Sequence, residues 1–257
     1  MWRYLFSRIT LFMATSLIMI AVLFMASGQF PVSKAYSLSG IQYPTIEQQQ
    51  QIEQDYQLQD NQLLQFTAYL RQRLSGNFGI SSNSQQEVLE ELEAVLPASF
   101  ELSLFSGFIA VFFGVPIGIL AALSTNKALQ NSILAVTLTG YSIPVFWLGL
   151  SLSMWFGVNL GWLPISGQIN LLYEIEPVTG FMLIDTLLSE STYRIPAFHD
   201  ALLHLILPAV TLAVLPFTLV VRITRQAILN VMNQTYIRAA EAYTRLKFCF
   251  VMYYPMP

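Results

Sequence analysis

The sequence predicts an all-α integral membrane protein with four transmembrane helices and an external helical insert between the first two. The 257 residues are 54% hydrophobic and 11% charged, with a mean hydropathy of +0.54. This balance lies far from that of a soluble domain. Four apolar runs are long enough to cross a bilayer core, which takes about 20 residues. Glycine and proline are spread through these runs, as is common in membrane helices.

The composition also excludes several classes of function. The net charge is −3 and no basic block occurs, so nothing indicates nucleic-acid binding. Cys249 is the only cysteine, which rules out an internal disulfide and a structural metal site built from paired thiols. Neither a Gly-x-x-x-x-Gly-Lys-Ser/Thr phosphate loop nor a Gly-x-Ser-x-Gly elbow is present. We therefore expect a non-catalytic subunit with no cofactor and no metal of its own.

The predicted spans cover about residues 9–28, 100–123, 133–158 and 202–221. The first could instead be a cleaved signal peptide, because basic residues precede it. Its apolar run is long for a signal core, however, and only a weak cleavage site follows it, so an uncleaved span is favoured. Buried helices of a soluble protein are excluded, because four such runs would need a polar shell that this chain lacks.

Lysines and arginines predict the orientation of the chain. With the N-terminus in the cytoplasm, segments 1–8, 124–132 and 222–257 lie inside and hold eight of these residues. The outside segments, 29–99 and 159–201, are about twice as long and hold four. Because positive residues are enriched in cytoplasmic loops, both ends of the chain are predicted to be cytoplasmic.

The external segment 29–99 is predicted to be helical rather than a linker. Thr45 and Gln48 have the spacing of a capping box for a helix through 48–54. A second, amphipathic helix is predicted from apolar residues at helical spacing: Leu63, Phe66, Leu70 and Leu74. A third, short helix is expected to end at Pro97. These helices are interpreted as a cap over the spans, with direct ligand binding as the alternative.

Small and polar residues interrupt the predicted spans. Three glycines lie on or near one face of the second span: Gly107, Gly114 and Gly118. The third span is interrupted by Gly140, Ser142, Pro144 and Gly149. Glycine lets helices approach closely, and proline frees backbone groups that a neighbour or a water-filled cavity must satisfy. The second set is the candidate lining of a translocation path, with ordinary close packing as the alternative.

No predicted span carries a charged residue near its centre. Such residues mark ion and proton pathways, so a proton- or sodium-driven carrier is not indicated. His204 and Pro208 belong to the stretch HLILP near the start of the fourth span, and His204 is interpreted as a satisfied interfacial histidine. Neither His204 nor His199 is expected to have a cysteine or acidic partner at metal-ligand spacing.

The stretch that follows the last span indicates a partner protein. Residues 234–242 read QTYIRAAEA, and Arg222 and Arg225 precede them. One helical face is shared by residues spaced three and four apart: Tyr236, Ala239 and Ala240. A small-residue-rich patch at the cytoplasmic edge of a membrane suits protein docking better than chemistry. This stretch resembles the coupling loop of bacterial ABC importer permeases of the peptide, dipeptide and oligopeptide branch.

Other segments resemble the same family. They are the Gly-x-x-Gly-x-Ser pattern at Gly76, Gly79 and Ser81, the LPASFEL run at 96–102, SIPVFWLGL at 142–150 and LGWLPISG at 160–167. The continuation through 168–191 is similar to a narrower group, the Sap peptide-transport permeases. The resemblance extends from the N-terminus to about Ala242.

The resemblance implies a permease subunit of an ATP-driven transporter that moves peptides, antimicrobial peptides among them, across the bacterial inner membrane. Its coupling residues would be Tyr236, Ile237, Arg238, Ala239, Ala240, Glu241 and Ala242. Its implied partners are a second homologous permease, a periplasmic solute-binding protein and two ATP-binding cassette subunits that hold ATP and magnesium. Export of polyamines or other small solutes by the same type of complex, and a membrane-anchored sensor or scaffold, remain open.

The likeness ends at about Tyr243, where the family pattern continues with a glycine and two further spans, six in all. Segment 243–257 reads YTRLKFCFVMYYPMP instead. We expect a truncated or frame-shifted permease, with an interfacial anchor as the alternative. The predicted domains are listed in chain order: the N-terminal end and first span (1–28), the external insert (29–99), the permease core with the coupling loop (100–242) and the atypical tail (243–257).

Overall fold

A computed structural model describes residues 2–27, 34–81, 83–235 and 237. In these residues the regular elements are helices, and a single isolated bridge pairs Ile80 with Glu87. The prediction of an all-α protein is confirmed. The helices are α1 (Trp2–Ser27), α2 (Lys34–Ser39), α3 (Ile46–Asp55), α4 (Gln62–Leu74), α5 (Val88–Leu123), α6 (Lys127–Ser142), α7 (Val145–Leu152), a π-helix (Ser153–Asn159), α8 (Met182–Leu188) and α9 (Arg194–Met232).

Helices α1, α5 and α9 are each long and apolar enough to cross a membrane. A fourth span arises when α6 is joined to α7 and the π-helix, but this pair is bent by 100°. The predicted third span over 133–158, with its interruption at Pro144, therefore consists of two helices joined at a bend. Pro144 causes the break, because it offers no N–H to the carbonyl of Gly140 and disfavours a helical residue before it. Ile143 accordingly has an extended backbone, with φ −78° and ψ 127°.

The chain forms two compact units, divided between Leu96 and Pro97. In the first unit, the capping box of α3 is confirmed, since Gln48 N–H donates to Thr45 Oγ1 and the Gln48 side chain accepts from Thr45 N–H. The predicted amphipathic helix is α4, which ends at Leu74 and has Ser75 as its C-cap before Gly76. A small core joins α2 to α3 and includes Ala35, Leu38, Ile52 and Tyr56.

The expectation of a short helix that ends at Pro97 is wrong. Helix α5 begins at Val88 and continues through Pro97 and Pro116 to Leu123. A proline removes one hydrogen bond of a helix, but the helix can continue where the surrounding apolar sequence favours it.

In the second unit, α9 is the helix against which α6, α7 and α8 pack. Glycines of α5 also lie against it. A Cβ placed on Gly114 would be 2.8 Å from Val220 Cγ1, and one on Gly118 would be 2.9 Å from the carbonyl oxygen of Val221. The α5 and α9 backbones therefore approach more closely than larger residues would allow.

Candidate functional site

Two neighbouring cavities lie beside the N-terminal half of α9. The larger has a volume of about 470 Å³ and is lined by α7, the start of the π-helix, the turn at 164–167 and α9. The smaller, about 240 Å³, is lined by the 98–102 turn of α5, the start of α8 and α9. Both cavities are lined by Gly167, His204 and Pro208. These three residues therefore form the junction of the two cavities, which we call the junction below.

Small residues line the larger cavity where α7 faces α9. Gly149 lies on the α7 side of this cavity and Thr211 on the α9 side. A Cβ placed on Gly149 would be 3.3 Å from Thr211 Cγ2, so a larger residue would narrow the space between these helices. The hydroxyl groups of Ser153, Ser166 and Thr211 add polar atoms to a mostly apolar wall. Such a mixture is typical of small-molecule sites.

His204 is held at the junction by its Nδ1 atom. This atom lies 2.9 Å from the carbonyl oxygen of Asp200 and 3.4 Å from Asp200 Oδ2. Asp200 Oδ2 also accepts the backbone N–H of Asn170, at 2.7 Å. The i−4 spacing in a helix thus places an acidic residue, Asp200, beside His204.

The 178–188 segment, which contains α8, is fastened by two buried carboxylates. Glu101 Oε2 and Oε1 accept the backbone N–H groups of Met182 and Leu183, at 3.1 Å and 2.9 Å. These are unsatisfied donors of the first turn of α8, which a carboxylate both bonds and stabilises electrostatically. Glu101 also lines the smaller cavity, so the same residue shapes a cavity wall and holds the helix beside it.

The second carboxylate, Asp185, closes the turn before α8. It accepts the backbone N–H and hydroxyl of Thr179 and the backbone N–H of Gly180, at 2.8, 2.6 and 2.9 Å. Burial of Asp185 favours its neutral form and raises its pKa. The hydrogen bonds to the charged form outweigh that effect, so the pKa lies below its ordinary value. Asp185 is consequently an ionised anchor of this turn.

Gly180 allows the turn before α8 to contact α5. Its φ is +79°, a conformation that other residues rarely adopt, and a Cβ there would lie 2.7 Å from Pro97 Cγ. The turn and the Leu-Pro-x-Ser-x-Glu-Leu motif are therefore in contact at two places, at Pro97 and at Glu101.

The predicted path residues do not all reach the cavities. Among the described residues of that set, Gly149 lines the larger cavity, whereas Gly140 faces Val214, 3.3 Å from a placed Cβ. The hydroxyl of Ser142 donates a hydrogen bond to the Leu138 carbonyl within α6, and Pro144 is the N-cap residue of α7. A role in translocation stays a prediction for all four.

Most of the predicted coupling segment lies outside the described residues. Ile237 is described and buried; Tyr236 and residues 238–242 are outside, as is the atypical tail 243–257. The coupling role of Tyr236, Ile237, Arg238, Ala239, Ala240, Glu241 and Ala242 thus stays a prediction.

Sequence reasoning missed the junction. The predicted second span begins at about residue 100, which puts Glu101 at its edge, and His204 is interpreted as a satisfied interfacial histidine; neither residue is predicted to lie beside a cavity. The available signals were the LPASFEL run at 96–102 and the HLILP stretch, two motifs that the fold brings to the two sides of one cavity. No cluster of three or more histidine, cysteine, aspartate or glutamate residues suited to a metal occurs in the described ranges.

The long apolar helices define a multi-pass helical membrane protein. More particularly, the chain belongs to the family of binding-protein-dependent transport system inner membrane components, whose model matches residues 114–247. This match covers more than half of the 257 residues. It confirms the family resemblance and places the protein in the bacterial inner membrane.

Three relatives show where the likeness is strong. The chain is 44% identical over 178 residues to the di/tripeptide transport system permease protein DppB of Pseudomonas aeruginosa, covering 69% of this chain and 52% of the relative. It is 44% identical over 164 residues to the putrescine export system permease protein SapB of Escherichia coli, covering 64% and 51%. It is 43% identical over 167 residues to the peptide transport system permease protein SapB of Salmonella typhimurium, covering 65% and 52%. The chain spans about half the length of the curated relatives it matches.

Proposed function

We propose that this chain is the membrane-spanning permease subunit of an ATP-driven transporter that carries peptides across the bacterial inner membrane. The observation that carries the proposal is the 44% identity over 178 residues to a di/tripeptide permease. The cavity of about 470 Å³ beside α7 and α9 supports it, because small-molecule sites have volumes of about 300–1,000 Å³. Antimicrobial peptides belong to the same chemical class of solute.

In this proposal the N-terminus is cytoplasmic, as the distribution of lysine and arginine favours. Helix α9 would then begin on the external side, near the cavities, and end on the cytoplasmic side with Arg222 and Arg225. Residues 236–242 follow directly and would dock on an ATPase subunit. The sequence carries no phosphate loop, so ATP and magnesium would bind to that partner.

The proposed complex contains four kinds of subunit. Beside this chain it has a second homologous permease, two ATP-binding cassette subunits and a periplasmic solute-binding protein. The family supports this composition, since its members are components of binding-protein-dependent transport systems. This chain would contribute to the translocation path, and the ATP-binding cassette subunits would hydrolyse ATP.

Polyamine export by the same type of complex is the second candidate. It is favoured by the 44% identity to a relative named as a putrescine export permease. The two candidate functions predict different solutes for the same translocation path.

Transport by the assembled complex decides between them. Bacteria that lack their own peptide permeases and putrescine exporter would express this chain with its partner subunits, and labelled alanyl-alanine and putrescine would be followed separately. We expect uptake of the dipeptide, driven by ATP and lost without the chain. Putrescine efflux without dipeptide uptake would establish the second candidate, and movement of neither solute would contradict both.

The coupling segment is tested by adding a charge to it. Ala239→Asp places a carboxylate on the proposed docking face, and burying an unpaired charge there strongly disfavours docking. The matched control is Gln234→Asp, which adds the same charge at an exposed position. We expect Ala239→Asp to abolish transport and co-purification of the ATPase at normal membrane levels, and Gln234→Asp to leave both unchanged. Normal co-purification of Ala239→Asp would show that another segment couples the subunits.

A further inference from the structure

His204 lines the junction of the two cavities and has one ring nitrogen, Nε2, to which no hydrogen bond is assigned among the described residues. Its Nδ1 lies beside two acceptors, the carbonyl oxygen and Oδ2 of Asp200, at 2.9 Å and 3.4 Å. In a neutral imidazole, two acceptors at Nδ1 place the single ring proton on that atom and leave Nε2 as an acceptor. In the part of the chain that the structure describes, Nε2 makes no hydrogen bond.

A second acceptor is created by Pro208, which lines the same junction. Proline has no N–H, so the carbonyl oxygen of His204, four residues earlier, lacks its usual helical donor. Such freed carbonyls within a membrane are tolerated where a neighbour or a cavity satisfies them. His204 therefore offers an imidazole nitrogen and a freed backbone oxygen, two acceptors that suit a group with several N–H donors.

The charged residues of the cavity walls also favour a solute group with several N–H donors. Among the described lining residues of both cavities, none is lysine or arginine, and Glu101 is the one carboxylate. A carboxylate or phosphate group of a solute would find no cation there to compensate its loss of water. A protonated amine would find acceptors, with the carboxylate of Asp200 behind the imidazole.

The volumes of the two cavities indicate how much of the solute each cavity can hold. The larger cavity, about 470 Å³, is within the usual range of small-molecule sites, whereas the smaller, about 240 Å³, falls below the roughly 300 Å³ at which that range begins. A small head group therefore fits beyond the junction while the rest of the solute stays in the larger cavity.

We propose that His204 is a solute-recognition residue, whose Nε2 accepts a hydrogen bond from a protonated amine of the transported molecule. This inference rests on the proposed transport function and deepens it, because it names the chemical group that the path recognises. The amine belongs either to the N-terminus of a short peptide or to a polyamine.

The test measures binding and transport by the complete complex in nanodiscs and in proteoliposomes. The probes are alanyl-alanine, N-acetyl-alanyl-alanine and putrescine. His204→Leu removes the acceptor, and His204→Gln retains one in an amide oxygen of similar reach. The matched control is His199→Leu, because His199 is exposed on the same helix and lines neither cavity.

We expect His204→Leu to weaken binding of alanyl-alanine or putrescine roughly tenfold, the effect of one hydrogen bond to a charged group. His204→Gln should bind within a few-fold of the wild type, and His199→Leu should match it. N-acetyl-alanyl-alanine should bind the wild type as weakly as alanyl-alanine binds His204→Leu. Binding of alanyl-alanine alone identifies a peptide amine, and binding of putrescine alone identifies a polyamine; either supports the inference when His204→Leu weakens that binding.

Three results would overturn the inference, and they are distinguishable. If the wild-type complex transports a solute but His204→Leu and N-acetylation leave binding unchanged, recognition by His204 is excluded while the transport function stands. If the wild-type complex transports neither solute, the proposed function fails and the inference fails with it. Equal loss in His204→Leu and His204→Gln, both at normal abundance, would also exclude the acceptor role.

Discussion

Glu101 Oε1 accepts the backbone N–H of Leu183 at 2.9 Å, although the two residues are 82 positions apart. This bond and the one to Met182 N–H fix the start of α8 against α5. Helix α8 in turn packs on α9, and the three helices together line the smaller cavity. A single buried carboxylate thus decides where one wall of the candidate site lies.

Replacing Glu101 by glutamine should loosen α8. The substitution leaves one acceptor oxygen and removes the charge, and hydrogen bonds to a charged group contribute about 1.5–3 kcal/mol each. We expect faster protease cleavage within 168–193 and a lower midpoint of thermal unfolding for the purified chain in detergent. Glu93→Gln, at an exposed position of the same helix, is the control. Identical cleavage rates for the two variants would show that the carboxylate does not hold α8.

Asp185 should make the stability of the 178–188 segment depend on pH. Its pKa in the folded chain is lowered, so its stabilising effect is complete above the unfolded value of about 3.9. The effect is lost as the pH falls through the lower folded-state value. Asp185→Asn should remove this dependence and lower the unfolding midpoint at neutral pH, whereas Glu174→Gln, at an exposed site, should do neither. Hydrogen exchange of the 178–188 amides at several pH values measures both effects, and an unchanged profile in Asp185→Asn would refute this role.

The packing of α5 on α9 predicts opposite outcomes for two glycines of one helix. A Cβ on Gly118 would be 2.7 Å from Thr224 Cβ and 2.9 Å from the Val221 carbonyl oxygen, whereas one on Gly107 would meet no described atom within 4 Å. Overpacking costs about 1–3 kcal/mol, and replacing glycine by alanine in a helix regains about 1 kcal/mol.

We therefore expect Gly118→Ala to lower the unfolding midpoint and Gly107→Ala to leave it equal or raise it. Thermal unfolding of the two variants in the same detergent makes the comparison, because the gain in helix propensity is common to both. A greater loss of stability in Gly107→Ala than in Gly118→Ala would contradict the close approach of α5 and α9.

The proposed orientation predicts which positions an impermeant thiol reagent can reach. Single cysteines would replace the exposed residues Gln50, Ala128 and Glu190 in a Cys249→Ser background. With the N-terminus in the cytoplasm, positions 50 and 190 should react in intact spheroplasts, and position 128 should react only after permeabilisation. Reaction at 128 combined with protection of 50 would invert the topology.

Several features were determined by the sequence itself, because they depend on neighbouring residues. The apolar runs define α1, α5 and α9 as helices that can cross a membrane, since the transfer of each side chain into lipid is a local property. Thr45 and Gln48 define the start of α3, because a capping box is closed within one turn. The segment 142–150 gave the family resemblance directly, and the interruption at Pro144 was visible in it as well.

The tertiary structure alone decided the site. The hydrogen bonds from α8 to Glu101 join residues that are distant in the chain. The same is true of Gly167 and His204, which line the same junction. The 100° bend at residues 143–144 depends on how the helices pack. The interruption itself follows from Pro144, whereas the angle between α6 and α7 depends on how both helices pack against α9. A buried carboxylate likewise accepts hydrogen bonds from whichever unsatisfied backbone N–H groups the folded chain places beside it. The local sequence does not show which groups these are.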